Sequence, residues 1–134
     1  MPKLSEKARK LLEKPVIGHL VTLMPDGSPQ VSPVWVDTDG EYLLVNTAEG
    51  RIKPRNVRND PRVALSATDP DNEYTGILQI RGKVVEVTEN GARDHIDKLA
   101  KKYLGKDKYP FHQPGDVRLI LKIKPEHVSG GVPD

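Results

Sequence analysis

The segment Glu49-Gly-Arg-Ile-Lys-Pro-Arg-Asn-Val-Arg-Asn-Asp-Pro61 directly follows an apolar strand and is the most informative part of the chain. Its cations are concentrated within eight residues: Arg51, Lys53, Arg55 and Arg58. Pro54 suits the first position of a helix, because the N–H that proline lacks would have no partner there. Asp60 ends that helix, since a residue before proline is disfavoured in the helical region. The segment therefore predicts a tight Glu-Gly turn and a short helix with a cationic amino end.

The amino end of this predicted helix has the features of a phosphate site. Free N–H groups and the positive end of the helix dipole attract anions, and arginine and lysine add charge-assisted hydrogen bonds. A solvated basic helix and a loose contact with nucleic acid stay open as alternatives on these residues alone. The net charge of only +2 and the low aromatic content disfavour nucleic acid, because its binding proteins usually show a broader positive charge or base-stacking rings.

Composition narrows the class of protein. A chain of 134 residues predicts a single domain, residues 1–134, with a core of its own. It has no cysteine, which excludes disulfides and thiolate chemistry, and its four scattered histidines predict no metal site. Neither a signal-peptide core nor a membrane span is recognisable, so we expect a soluble, cytoplasmic protein without a membrane partner. The Rossmann, Walker and Gly-x-Ser-x-Gly patterns are all missing from the sequence.

The apolar patterns and turn signals predict about six strands and three short helices. The strands are expected at residues 16–24, 30–37, 41–46, 62–68, 74–88 and 117–124, and the helices at 6–13, 54–60 and 89–103. Irregular loops are expected at 69–73 and 106–116, and a loose tail at 130–134. Hairpin connections between most strands favour a mainly β fold, a small Greek-key barrel whose closure removes the sheet edges.

Three residues within the strands predict local irregularities. Gly18 indicates a bulge or a close approach by another backbone or a ligand. Pro33 cannot donate a ladder hydrogen bond, so its strand should have an edge or a bulge there. Gly82 is expected to mark a bend at a corner of the barrel. With no obvious acid, base or nucleophile beside the phosphate cradle, the chemistry would fall to a bound cofactor.

Four stretches resemble the pyridoxamine-phosphate-oxidase-like flavin-binding split barrels. They are Gly18-His-Leu-Val-Thr, Pro25-Asp-Gly-Ser-Pro-Gln-Val-Ser-Pro-Val-Trp-Val, Leu44-Val-Asn-Thr and Arg51-Ile-Lys-Pro-Arg-Asn-Val-Arg-Asn-Asp-Pro-Arg-Val-Ala-Leu65. More narrowly, the chain is similar to the actinobacterial-type branch that uses the deazaflavin coenzyme F-420. The most specific part is Lys53-x-Arg55-Asn56, and Gln79-x-Arg-Gly82 and Leu121-x-Ile-x-Pro-x-His-Val128 extend the resemblance over nearly the whole chain.

The resemblance implies a homodimeric split β-barrel with two cofactor sites at the subunit interface. Its cofactor residues would be, in order, the ring-flanking Val34, Trp35 and Val36, the ribityl or ring-edge contacts Asn46 and Thr47, the phosphate ligands Arg51, Lys53, Arg55 and Asn56, and Gln79 and Arg81 from the second subunit. Trp35 could instead be a core or interface residue. Asn46 and Thr47 could serve only as strand-end hydrogen-bonding groups, and Arg58 and Arg62 could be surface charges.

The resemblance also implies an oxidoreductase whose reduced coenzyme F-420 delivers a hydride to a small unsaturated organic substrate. An FMN-binding oxidoreductase and a non-catalytic flavin or deazaflavin carrier are the alternatives. Ile52, where some FMN-binding relatives have a second basic residue, argues against FMN. An extra carboxy-terminal segment of the kind used by pyridoxamine phosphate oxidases is not recognisable, which puts oxidation of that vitamin in doubt. We expect the loops at 69–73 and 106–116 and the partner subunit to form the wall opposite the ring.

Overall fold

The computed structural model of the chain describes residues 4–130. It contains seven strands and three helices. In chain order these are α1 (Glu6–Glu13), β1 (Ile17–Leu23), β2 (Pro29–Trp35), β3 (Asp37–Thr38), β4 (Leu43–Ala48), α2 (Ile52–Asn59), β5 (Arg62–Thr68), β6 (Ile77–Thr88), α3 (Ala92–Leu104) and β7 (Arg118–Gly130). The tail expected at 130–134 lies, apart from Gly130, outside the described residues. None of the helices in the described part is long and apolar enough to cross a membrane.

The strands form one antiparallel sheet in the order β2-β1-β5-β6-β7-β4-β3, and the sheet curls into a half-barrel. Its two end strands, β2 and β3, are consecutive in the chain and are joined through Val36 alone. One extended segment therefore runs from one end of the sheet to the other. This arrangement confirms the expected mainly β split barrel, although β2 and β3 remain sheet edges among the described strands. The edge position of β2 also accommodates Pro33, as expected.

The crossing at Val36 divides what the sequence predicted as one strand at 30–37. The N–H of Val36 donates to the hydroxyl of Tyr103 at 2.8 Å, and its carbonyl accepts from the ammonium of Lys102 at 2.7 Å. Both partners lie on α3, so this helix satisfies the backbone where sheet pairing stops. The side chain of Val36 is fully buried in the core and stands within 2.7 Å of where a Cβ on Gly18 would lie. The close approach expected at Gly18 is therefore made by a side chain.

The core lies inside the curl of the sheet and is closed by α1. Strand residues of alternating position are almost fully buried, among them Leu20, Leu43, Leu78, Leu121 and Ile123. The amphipathic helix α1 adds Leu11 and Leu12 to this core. It begins where expected because Ser5 accepts a hydrogen bond from the N–H of Ala8 at 3.0 Å.

Several element boundaries differ from the sequence prediction; for example, β4 begins at Leu43 instead of residue 41, and β7 continues to Gly130 instead of ending at residue 124. Helix α2 begins at Ile52, which makes Pro54 its third residue instead of its first. Proline is tolerated there because none of the first four N–H groups of a helix has an intrahelical acceptor. Strand β6 begins at Ile77 instead of residue 74, because the carbonyl of Asn72 holds residues 75 and 76 in a turn. Gly82 lies at a shift of register between β6 and β7, in agreement with the expected bend.

Candidate functional site

A cavity of about 430 Å³ opens beside the amino end of α2. It brings together five of the residues predicted for a cofactor site: Val34, Trp35, Asn46, Arg51 and Lys53. Its further lining residues are Ile17, Pro33, Ile96, Leu99, Tyr109, Phe111 and Arg118. The volume lies in the range typical of small-molecule sites, and the combination of apolar walls with a few polar groups is also typical of them.

The cationic end of the cavity is formed by the first residues of α2. Arg51 is the N-cap residue, its side chain makes no capping hydrogen bond, and the first turn contains no acidic residue. Lys53 is half-buried, and its ammonium lies 3.4 Å from the hydroxyl of Ser32. Burial, and then the positive charge of Arg51, lower the pKa of Lys53. Two cations therefore lie at a helix start that has neither a capping side chain nor an acidic residue. This arrangement favours the binding of an anion.

Three aromatic side chains, Trp35, Tyr109 and Phe111, form a wall of the cavity. The ring of Trp35 stacks on Tyr103, with centroids 4.9 Å apart and an interplanar angle of 9°. Tyr109 meets Trp35 edge-on at 6.0 Å, and Phe111 meets Tyr109 edge-on at 5.6 Å. The hydroxyl of Tyr103 donates to the carbonyl of Val16 at 2.6 Å, and burial raises the pKa of Tyr103 to about 12. Trp35 is thus both packed on one face and available to the cavity.

Asn46 lies at the centre of a buried hydrogen-bond network. Its Nδ2 donates to the carbonyl of Ala92 at 2.9 Å and to Nδ1 of His95 at 3.0 Å, and its Oδ1 accepts from Nε of Arg118 at 2.9 Å. His95 must then carry its proton on Nε2, from which it donates to Oδ2 of Asp37 at 3.0 Å. A flipped amide would place two carbonyl oxygens against each other at Ala92. The network therefore fixes the orientation of Asn46.

Asp37 is the buried acid of this network, and its environment favours the charged form. Burial alone would raise the pKa of Asp37, but hydrogen bonds from His95 and from the N–H of Thr38, with the charge of Lys98, outweigh it. The result is a pKa of about 2. At neutral pH the carboxylate is ionised and holds His95 in place.

We expect Asp37 to contribute about 2 kcal/mol of stability that is lost as the pH falls from about 4 to about 2. Its folded-state pKa lies below the ordinary aspartate value of 3.8, so in this window the unfolded chain binds more protons and acid favours unfolding. Denaturant unfolding of Asp37→Asn at several pH values should show a shallower decline between pH 4 and pH 2 than the wild-type protein. The exposed Asp94→Asn is the control and should keep the wild-type slope. Equal slopes for Asp37→Asn and the wild-type protein would contradict this contribution.

Several predicted residues lie outside the cavity. Thr47 and Val36 are buried, and the hydroxyl of Thr47 has no partner within residues 4–130. Asn56 is fully buried; its Nδ2 donates to the hydroxyl of Thr22 at 3.0 Å and attaches α2 to β1. Arg55 is exposed and borders a second depression, which it shares with Glu49, Arg58 and the cavity-lining Arg51.

The arginines regarded as surface charges are paired. Arg58 donates two hydrogen bonds to the carboxylate of Glu49, at 2.6 and 2.9 Å. Arg62 makes a similar pair with Asp60, at 3.0 and 2.8 Å. Both side chains are exposed and are neutralised by these partners, as in the surface interpretation.

Gln79 and Arg81 lie on a different face of the molecule. They line a wide concave surface of about 800 Å³ on β1, β2, β5, β6 and β7, together with His19, Val31 and His127. Val31 is 61% exposed there, although it is an apolar strand residue. Within one chain these two residues therefore do not reach the cavity at α2.

Sequence reasoning assigned none of the other seven lining residues to the site, and the aromatic or charged ones among them are Tyr109, Phe111 and Arg118. The loop at 106–116 was expected to form a wall, and its Tyr109-Pro-Phe111 run was the available signal. Arg118 begins β7 and could be assigned only to the polar side of an alternating strand. The loop at 69–73 does not line the cavity. No group of three metal-ligating side chains occurs in the part of the chain that the structure describes.

The sequence matches the pyridoxamine 5'-phosphate oxidase family over residues 4–130. Among solved structures the chain is similar to an F-420 reductase, with 37% identity and a TM-score of 0.79, over 96% of this chain and 98% of that one. The protein Rv2991 of Mycobacterium tuberculosis shares the fold at 23% identity and a TM-score of 0.71, over 92% of this chain and 82% of that one. General stress protein 26 of Bacillus anthracis also shares the fold, at 17% identity and a TM-score of 0.65, over 92% of this chain and 89% of that one.

The family match spans all of the described residues and includes every strand and helix of the half-barrel. It confirms the resemblance that the motifs at Gly18, Leu44 and Arg51 indicated. The chain belongs to the pyridoxamine 5'-phosphate oxidase family.

Proposed function

We propose that this protein is an oxidoreductase that binds coenzyme F-420 in the cavity beside α2 and transfers a hydride to a small unsaturated organic substrate. The observation that carries the proposal is that one cavity is lined both by an aromatic wall and by Arg51 and Lys53 at the uncapped start of α2. The family membership and the similarity to an F-420 reductase support it. The deazaflavin ring, when bound, would supply the hydride.

In this proposal the chain binds and orients the cofactor. Val34 and Trp35 face its ring system, and Asn46, fixed by its buried network, contacts a polar edge. Arg51 and Lys53 hold a phosphate at the start of α2, where helix N–H groups add to their charge. Val36 and Thr47, which are buried, support this wall from behind, Asn56 sets the position of α2, and Arg55 adds positive potential from the outer side.

The cavity offers little acid–base chemistry of its own. Among its described lining residues there is neither a carboxylate nor a histidine. The work of the protein would therefore be to position the reacting groups and to limit access of water. The candidate proton donors are the hydroxyl of Ser32, which lies 3.4 Å from the ammonium of Lys53, and the phenol of Tyr109, which lines the cavity.

A second copy of the chain would complete the site. We propose that the concave face with Gln79 and Arg81 packs on a second copy, so that these residues extend towards the partner's cofactor. The exposed Val31 on this face is consistent with a covered surface. Such a homodimer, acting in the cytoplasm on a small molecule, would need neither nucleic acid nor a membrane.

Titration of the cofactor-free protein with coenzyme F-420 and with FMN, followed by cofactor fluorescence, tests the proposal. We expect F-420 to bind at least tenfold more tightly than FMN, because the exposed Ile52 stands where some FMN-binding relatives have a further basic residue. Tighter binding of FMN would move the protein to the FMN alternative. Binding of F-420 without oxidation of the reduced cofactor by any of a broad panel of quinones, enones and nitro compounds would indicate a carrier. Binding of neither cofactor would refute both cofactor assignments.

A further inference from the structure

Arg118 is a buried cation with an unused hydrogen-bond donor. Only 5% of its surface is exposed, yet it lines the cavity beside α2. Its Nη1 is buried and finds no partner among residues 4–130. A buried polar atom without a partner is costly, and a charged one more so. Nη1 of Arg118 therefore needs a hydrogen-bond acceptor that residues 4–130 do not provide.

The rest of the Arg118 side chain is held firmly. Its Nε donates to Oδ1 of Asn46 at 2.9 Å, and Asn46 is itself fixed by His95 and Asp37. The guanidinium lies over the ring of Tyr109, with 5.1 Å between Cζ and the ring centroid. Each of these contacts leaves Nη1 free. Such prior ordering lowers the entropic cost of binding a ligand.

The charge of the cavity indicates the class of that ligand. Arg118, Arg51 and Lys53 all line it, and no lining residue in the described ranges carries a negative charge. Burial is the main cause that lowers the pKa of Arg118, and the positive charge of Arg51 adds to it. A carboxylate would neutralise only one of three charges. A phosphate monoester carries about −1.5 to −2 at neutral pH and offers three acceptor oxygens.

We propose that Arg118 is an anion-binding residue of the cavity, which holds a phosphate-class group together with Arg51 and Lys53. The proposal deepens the function proposed above and rests on it in assigning this group to the cofactor. Asn46 acts here as a positioning residue, because its amide aims the guanidinium without needing to touch the anion. Arg118 thus extends the phosphate site from the start of α2 to the start of β7.

Calorimetric titration with pyrophosphate, a probe without any ring, tests this proposal independently of cofactor identity. We expect Arg118→Met to weaken pyrophosphate binding about tenfold or more, because one charge-assisted contact is lost. Arg118→Lys keeps a positive charge but lacks the forked guanidinium, so its affinity for pyrophosphate should lie between those of the wild-type protein and Arg118→Met. It replaces Arg118→Met as the test if that variant does not fold. Arg62→Met removes one exposed, paired charge and is the matched control for net charge. The emission of Trp35, the single tryptophan, should change on binding and so locate the anion in the cavity.

The outcomes separate this proposal from the proposed function. The role of Arg118 would be overturned if Arg118→Met lost no more affinity for pyrophosphate than Arg62→Met. The same comparison applies to Arg118→Lys if only that variant folds. This outcome would hold even if coenzyme F-420 binds the wild-type protein. Failure of the wild-type protein to bind pyrophosphate would overturn that role as well. A selective loss in the Arg118 variants, in a protein that binds neither F-420 nor FMN, would support the anion site and refute the cofactor assignment.

Discussion

Replacing Arg51 and Lys53 together with alanine is expected to weaken the binding of coenzyme F-420 by about two to three orders of magnitude. Each hydrogen bond to a charged group contributes about 1.5–3 kcal/mol, and neighbouring contributions add incompletely. Both side chains line the cavity, and the half-buried Lys53 has no carboxylate partner in the described structure. Fluorescence titration of the cofactor-free variant measures the effect. Its thermal stability should be unchanged or slightly higher, because two mutually repelling cations are removed.

The control for this variant is Arg55→Ala, which removes a cation from the same helix. Arg55 is exposed and borders the depression on the outer side of α2. We expect its loss to change the affinity by no more than about threefold, as for other screened surface charges. If Arg55→Ala weakens binding as much as the double variant, the cofactor phosphate approaches α2 from the outer side. The cavity would then not be the cofactor site.

This comparison uses what the sequence alone could not provide, namely the rotational phase of α2. The basic run predicted a cationic helix start, and the structure has one. Which cations face the cavity depends on the side of α2 that packs on the sheet. The buried residues of α2 are Pro54, Asn56 and Val57, and Asn56 donates a hydrogen bond to Thr22, 34 residues earlier in the chain. Asn56, expected to touch phosphate, instead faces the core, and Arg55 faces solvent.

Elements defined by local signals were predicted closely. Helix α1 follows from its Ser5 cap and its apolar stripe, and β5 from a short alternating run between Asp60-Pro61 and a loop. The break at Val36 was not predictable, because its backbone partners Lys102 and Tyr103 lie 66 and 67 residues further along the chain. Arg118 was missed for the same reason. Its link to Asn46 spans 72 residues, and hydrophobic periodicity carries no information at that range.

Gly82→Ala is expected to destabilise the protein by about 3 kcal/mol, a large part of the stability of a domain of this size. A Cβ at this position would overlap the carbonyl oxygen of Lys124 and would lie 3.3 Å from Cα of Pro125. Both atoms belong to the backbone of β7, so no side-chain rotation can relieve the overlap. The two strands would have to separate where their register already shifts. Urea unfolding, compared at equal m-value, gives the change in free energy of unfolding.

Gly91→Ala separates this steric effect from the loss of backbone freedom. Gly91 has φ of +74° and precedes α3, but a Cβ there would have no neighbour within 4 Å. Alanine in this conformation should cost about 1–2 kcal/mol, less than at Gly82. If Gly82→Ala lowered the free energy of unfolding less than Gly91→Ala, β6 and β7 would separate at the bulge at little cost. Because β7 lies between β6 and β4 in the sheet, weak pairing of β6 with β7 would leave β4, the strand of Asn46, poorly fixed. The cavity could then not be the ordered site that we propose.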